Sequence, residues 1–215
     1  MRVVIAGGHG QIALLLERKL SERGDEAVGL VRNPDHVADL ERVGAEAVVL
    51  DLENSSTDEV ARTLDGADAV VFAAGGGPNS GVERKETVDK GAAILLADAA
   101  RQAGVRRYAV VSSMNADQAD PDSDEVFQVY LRAKKAADDY VRNTDLDATI
   151  VRPGGLTDDD GTWQVLVGEK LDRGQVPRAD VAATLVAVLD TPSTIGKTFE
   201  LTSGSQTIEG ALASL

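Results

Sequence analysis

Cysteine is absent from the chain, and histidine occurs only as His9 and His36. The first absence excludes disulfides, thiolate metal sites and a cysteine nucleophile. The second excludes a histidine-rich metal site and most histidine-based triads. Aromatic residues are also few, with one Trp, three Tyr and three Phe in 215 residues. The core must therefore be built from Ala, Val and Leu, which suits parallel strands buried on both faces. Positive charge is scarce: 22 Lys and Arg stand against 36 Asp and Glu, a formal net charge of −14. Such a surface repels phosphate backbones and anionic membranes, so neither a nucleic acid nor a membrane is the expected partner. Any phosphate site has to be local, made of backbone N–H groups and a few placed cations. No apolar run approaches membrane-spanning length. A strand that begins at Arg2 leaves no room for a signal peptide, and the expected location is cytoplasmic. The length fits one compact domain, or one with a small appendage.

What is present is concentrated at the start. A short apolar strand, residues 2–6, runs into Gly7, Gly8, His9, Gly10, Gln11, Ile12 and Ala13, and Leu14, Leu15, Leu16 and Leu20 follow at helical spacing. Strand, glycine turn and helix in that order form a phosphate cradle. The helix start offers unpaired N–H groups and the positive end of its dipole, and glycines let the backbone approach a pyrophosphate. Two spacings fit: Gly8-x-Gly10-x-x-Ala13 and Gly7-x-x-Gly10-x-x-Ala13.

Strand and helix then alternate. Strands are expected at 26–32, 45–52, 68–74, 107–113 and 148–152, and helices at 11–23, 34–43, 56–64, 82–103 and 124–142. Connections between them are short. The pattern implies an α/β fold of the Rossmann type, a doubly wound parallel sheet. Residues 1–155 read as a dinucleotide-binding domain. Residues 156–215 read as a small C-terminal substrate lobe packed on it, with a strand at 163–171, a helix at 178–189, a strand at 198–201 and a last helical piece at 208–212. The glycine-rich loop 75–81 is expected to move and to close on ligand.

The expected cofactor is NADP(H). At the end of the second strand an NAD site usually carries an acid, whereas this chain has Arg32, and a guanidinium matches a 2′-phosphate. Asp35 is near enough in sequence to pair with it instead. Asp51 and Leu52 end the third strand where an adenine would lie, and Asp51 can accept from the adenine amino group. His9 faces the cradle. Tyr130 and Lys134 stand at i and i+4 on one helix face. An ammonium beside a phenol favours the phenolate, which suits a tyrosine to acid–base work. Lys134 is also placed to bond the nicotinamide ribose. Ser112 and Ser113 close the fifth strand, where a hydroxyl can polarise a substrate carbonyl.

These motifs, with Ala73-Ala74-Gly75, Val88-Asp89 and Val151-Arg152-Pro153-Gly154, resemble the short-chain dehydrogenase/reductase superfamily. The likeness is to its atypical, small NAD(P)H-binding, epimerase/dehydratase-like members. The resemblance implies that Ser113, Tyr130 and Lys134 are the catalytic set, with Ser113 preferred to Ser112. It implies that Ala73, Ala74 and Gly75 line the cofactor, and that Pro153, Gly154 and Leu156 contact its nicotinamide end. Asp89 stands where redox members carry an Asn that holds a water of the proton relay. Three functions follow as expectations: an oxidoreductase acting on a small carbonyl or alcohol, a non-catalytic NADP(H) sensor, and an epimerase or dehydratase. A monomer and a homodimer paired through the long helices are both compatible with the sequence.

Overall fold

Val3, Val4, Ile5 and Ala6 have no solvent exposure, and alternate residues of this one strand enter two different cores. Val3 and Ile5 face a layer containing Leu16, Leu20, Val181, Leu185 and Val188. Val4 and Ala6 face a layer containing Val60, Leu64, Leu96, Ala100, Ala137 and Val141. The two-residue period of a strand sends neighbouring side chains to opposite faces, so a strand apolar throughout needs helices on both sides.

A computed structural model describes residues 1–77 and 80–215. In chain order the elements are β1 (Arg2–Ala6), α1 (Gln11–Glu22), β2 (Glu26–Val31), α2 (Val37–Arg42), β3 (Glu46–Val49), α3 (Thr57–Thr63), β4 (Ala69–Phe72) and α4 (Val82–Arg84). α4 continues through a π-helical stretch, Lys85–Ala92, into α5 (Ala93–Ala103). Then come β5 (Arg107–Val111), α6 (Val126–Arg142), β6 (Asp147–Pro153), β7 (Gly155–Thr157), β8 (Gln164–Gly168), β9 (Gln175–Pro177), α7 (Arg178–Asp190), β10 (Thr198–Ser203), β11 (Gln206–Thr207) and α8 (Ile208–Leu212). The main sheet runs β11-β8-β10-β6-β5-β4-β1-β2-β3. It is parallel from β3 to β10, with β8 antiparallel to β10 and β11 antiparallel to β8. The order reverses between β1 and β4, so the crevice at their carboxyl ends is where a doubly wound sheet takes its ligand.

The expected α/β architecture is the observed one, with differences at the edges. The strands expected at 68–74 and 107–113 stop at Phe72 and Val111, although the Ala73 and Ser112 N–H groups still donate to the Ala6 and Val151 carbonyls. The helix expected at 82–103 changes its hydrogen-bond period at Lys85, a distortion frequent at functional sites. In the tail, β8, β10 and β11 extend the main sheet, and α7 shares the core face of α1. β7 and β9 form a separate parallel pair that the sequence pattern did not reveal. Residues 78 and 79, within the loop expected to close on ligand, lie outside the described residues. Among the described residues no helix is long and apolar enough to cross a membrane.

Candidate active site

β1 delivers the chain to Gly7, whose φ of +81° is a left-handed conformation that L side chains rarely adopt. A Cβ there would also lie 2.6 Å from the Cα of Ala74, so Gly7 lets the cradle seat against the loop after β4. Gly8 has another task. Its N–H donates to the Leu30 carbonyl at 3.0 Å, and a Cβ would lie 2.8 Å from the Cα of Gly29, so it sets the close approach of turn and β2. Gly10 is the N-cap of α1, and no side chain caps that helix. The N–H groups of the first turn, at Gln11 and Ile12, are therefore left for a ligand.

A cleft of about 260 Å³ opens over this cradle. It gathers Gly7, His9, Gly10, Arg32, Asp51, Leu52, Ala73, Ala74 and Gly75 from four strand ends, and adds His36, Glu53, Arg84 and Val88. Arg32 does not pair with Asp35. Its Nη1 donates to Glu53 Oε2 at 3.1 Å, while the Asp35 N–H is taken by Asn33 Oδ1. Arg84 Nη2 lies 3.1 Å from the same Glu53 oxygen, and the Thr87 hydroxyl donates to the other at 2.6 Å. Two guanidiniums thus stand in the cleft with one carboxylate between them. The two histidines also meet there, stacked with centroids 3.6 Å apart and planes 11° apart. His9 Nε2 donates to Asp39 at 2.8 Å, and that bond, with Arg42, holds the Asp39 carboxyl below its usual range. The Asp51 carboxylate accepts from the Glu53 N–H and from Asn54 Nδ2, which shapes the loop after β3.

Pro153, Gly154 and Leu156 stand outside this cleft, at and beyond the end of β6. The Gly154 N–H donates to the Leu201 carbonyl, and a Cβ on it would lie 2.4 Å from the Gly174 carbonyl oxygen. There a wider cleft of about 930 Å³ opens, walled by residues such as Thr157, Asp160, Leu171 and Gln175. Glu200 ties this region to the loop after β5. One of its oxygens accepts from the Asn115 N–H at 3.3 Å and the other from the Leu171 N–H at 2.7 Å.

At the end of β5 the two serines separate. Ser112 is buried and its hydroxyl donates to Asp138 Oδ2 at 2.8 Å. Ser113 is half-buried, and its hydroxyl donates only to the adjacent Met114 carbonyl at 3.3 Å. Asp138 also takes Arg152 Nε at 2.9 Å, and the same guanidinium grips Asp117. Burial pushes the Asp138 carboxyl up against the pull of Arg152. Lys134, one turn after Tyr130 on α6, is buried. Its Nζ donates to the Val111 carbonyl at 3.1 Å and lies 3.4 Å from Asp89 Oδ1. The other Asp89 oxygen accepts from the Gly76 N–H at 3.0 Å. One buried ion pair therefore joins the Tyr130 helix, the end of β5 and the loop after β4. Sequence reasoning missed Arg84, Glu53, Asp138 and Glu200; of these, only Asp138 carried a local signal, its position four residues after Lys134.

A family described as NAD(P)H-binding matches residues 7–192. The chain belongs to that NAD(P)H-binding family. It is 37% identical over 216 residues to the uncharacterized sugar epimerase YhfK of Bacillus subtilis, and the match covers all of both chains. A solved structure from Bacillus halodurans, a candidate NAD-dependent epimerase/dehydratase, is 35% identical over the full length of both chains, with a TM-score of 0.91. The oxidoreductase ylbE of Lactococcus lactis is 28% identical, with a TM-score of 0.88, covering all of this chain and 96% of that one. This NAD(P)H-binding protein is of the atypical short-chain dehydrogenase/reductase kind, and its own residues fit a nicotinamide dinucleotide. The uncapped helix start and the Gly7 turn suit a pyrophosphate, and Arg32 and Arg84 bring positive charge to the cleft of an acidic chain.

Proposed function

We propose that this NAD(P)H-binding protein is an NADP(H)-dependent oxidoreductase that interconverts a small carbonyl compound and its alcohol. The observation that carries the reading is the buried link that joins the Tyr130 helix, the end of β5 and the loop after β4. Tyr130 and Lys134 share a face of α6, Lys134 reaches the end of β5 beside Ser113, and Asp89 links Lys134 to the loop after β4. In this reading the cradle from Gly7 to Ile12 holds the pyrophosphate. Arg32 and Arg84 meet a 2′-phosphate, and Pro153, Gly154 and Leu156 border the nicotinamide end. The bound cofactor supplies or accepts the hydride. Ser113 donates a hydrogen bond to the substrate oxygen, and Tyr130 gives that oxygen its proton during reduction or removes it during oxidation. Lys134 holds positive charge beside the phenol. The wider cleft beyond β6 leaves room for the remainder of the substrate.

The test is a pair of titrations. NADPH is expected to bind more tightly than NADH. Arg32→Ala is expected to weaken NADPH binding by roughly 10–100-fold, the effect of losing a charge-assisted hydrogen bond of about 1.5–3 kcal/mol, with NADH unchanged. Equal affinities for the two cofactors in the unaltered protein would refute the NADP(H) assignment.

One observation favours a second reading, a protein that binds NADP(H) without turning it over. Two of the three Lys134 donors are directed to Asp89 and to the Val111 carbonyl, at a position where redox members of the superfamily carry Asn rather than Asp. Enzyme-bound NADPH that is never oxidised by any carbonyl compound, while its binding alters capture of a protein partner, would favour that reading.

A further inference from the structure

Tyr130 has a second buried lysine beside it. Lys85, at the start of the π-helical stretch, is only 5% exposed. Its Nζ lies 5.4 Å from the centroid of the Tyr130 ring, closer than the 5.8 Å of Lys134. The two ammoniums differ in their company. Lys134 is balanced by Asp89. Lys85 donates one hydrogen bond, to the Gly77 carbonyl at 2.7 Å, and among the described residues it has no carboxylate within ion-pair distance. A buried cation without a counter-charge costs several kcal/mol. Among the described residues a chain with 36 acidic residues has supplied one for each of the other two buried cations, Lys134 and Arg152, yet none here. An ammonium carries three donors, and Lys85 uses one of them on protein. Its contact with the aromatic face is a weak substitute for a charge. Holding the Gly77 carbonyl alone would not require a full positive charge.

From this we infer that Lys85 binds an anionic group of the substrate, a carboxylate or a phosphate carried close to the reacting carbonyl. The inference rests on the oxidoreductase reading and adds the substrate class to it: an oxo acid or a phosphorylated carbonyl compound. In the proposed reading the cofactor phosphates have separate partners in the cradle and at Arg32 and Arg84, which line the cleft, whereas Lys85 does not. The charge of Lys85 is at the Tyr130 end. There it orients the substrate so that its carbonyl oxygen meets Tyr130 and Ser113. The site completes the counter-charge that the fold omits, and the surrounding acidity keeps non-cognate anions from accumulating elsewhere.

Calorimetric titration of the full chain tests this, first with NADPH and then, on the NADPH-loaded protein, with 2-oxobutanoate, with inorganic phosphate and with neutral 2-butanone. NADPH is expected to bind Lys85→Met and Lys85→Arg within twofold of the unaltered protein. At least one of the two anions is expected to bind the loaded protein tenfold or more tightly than 2-butanone. Lys85→Met should abolish that preference and Lys85→Arg should retain most of it. Preference for 2-oxobutanoate identifies a carboxylate, and preference for phosphate a phosphorylated substrate. Equal binding of anions and 2-butanone, or anion binding unchanged in Lys85→Met, overturns the inference. So does a loss of NADPH affinity in Lys85→Met, which would make Lys85 a cofactor residue. Failure of the unaltered protein to bind NADPH would instead refute the oxidoreductase reading itself.

Discussion

Tyr130→Phe is expected to lower carbonyl turnover by about 10²–10⁴-fold, the usual range for removing a general acid or base, with NADPH affinity unchanged within a factor of two. The size follows from the absence of a substitute. Histidine occurs only in the His9–His36 stack over the cradle, and there is no cysteine anywhere. The specificity of the test follows from packing. Among the described residues nothing hydrogen-bonds the Tyr130 hydroxyl, and its ring rests near Phe127, 6.0 Å away, and the two lysines. Phenylalanine keeps the ring and removes only the proton-carrying atom, so stability should move by no more than about 0.5 kcal/mol. Lys134→Met is the poorer probe. It would leave the Asp89 carboxylate buried and unpaired, at a cost on the order of 3–5 kcal/mol, and any lost activity would be confounded with unfolding. Single-turnover oxidation of bound NADPH is the measurement. A loss smaller than tenfold in Tyr130→Phe would remove Tyr130 from the chemistry.

The parts of this site that were legible in the sequence are those written at short range. The switch from a two-residue to a 3.6-residue period located β1 and α1, and the glycines between them marked the cradle. Helical spacing put Tyr130 and Lys134 on one face. Composition and position at a strand end brought Arg32 to the cleft, but its partner was misjudged. Asp35 is three residues away, in the turn that Asn33 caps, whereas Glu53 arrives from the next strand end, 21 residues later. Arg84 reaches the same carboxylate from beyond β4, so the cluster exists only once three loops converge. The Asp138–Arg152–Asp117 network and the Glu200 bridge have the same character. Each joins residues whose separation in sequence carries no periodic signal. The physical difference between Ser112 and Ser113 likewise lies in a tertiary contact, because Asp138 claims the first hydroxyl. The short edge strands of the tail gave a weak pattern, since two to five residues hold too few alternations to distinguish them from a loop.

Replacing Glu17 by Leu is expected to stabilise the protein at neutral and alkaline pH. Glu17 lies on α1 with no solvent exposure, and neither carboxyl oxygen has a hydrogen-bond partner. It occupies the space that Gly29 leaves open: a Cβ at Gly29 would lie 2.5 Å from Glu17 Oε1, and one at Gly8 would lie 2.9 Å from it. Burial without a counter-charge raises its pKa from 4.5 to about 8. Below the unfolded value the carboxyl is protonated in both states and carries no ionisation penalty. Between there and about pH 8 the folded protein keeps a proton that the unfolded chain has released, so stability falls by about 1.4 kcal/mol per pH unit. Above that pH both states are ionised and the loss is complete. At pH 7 the accumulated cost is on the order of 3 kcal/mol, which leucine, of similar size and apolar, removes. At about 2–4 °C per kcal/mol for a chain of this size, Tm at pH 7 should rise by roughly 10 °C. The gain should shrink toward pH 5, because the variant lacks the slope of the unaltered protein. Urea unfolding of both proteins at pH 5, 6.5 and 8 measures it. Parallel pH profiles would mean that Glu17 ionises in the fold as it does in the unfolded chain. The position also bears on binding. Glu17 sits beneath Gly8 and Gly29, the pair whose close approach fixes the cradle against β2, so charge placed there strains the phosphate site from below. NADPH affinity of the unaltered protein should therefore decline between pH 7 and 9 by more than that of Glu17→Leu.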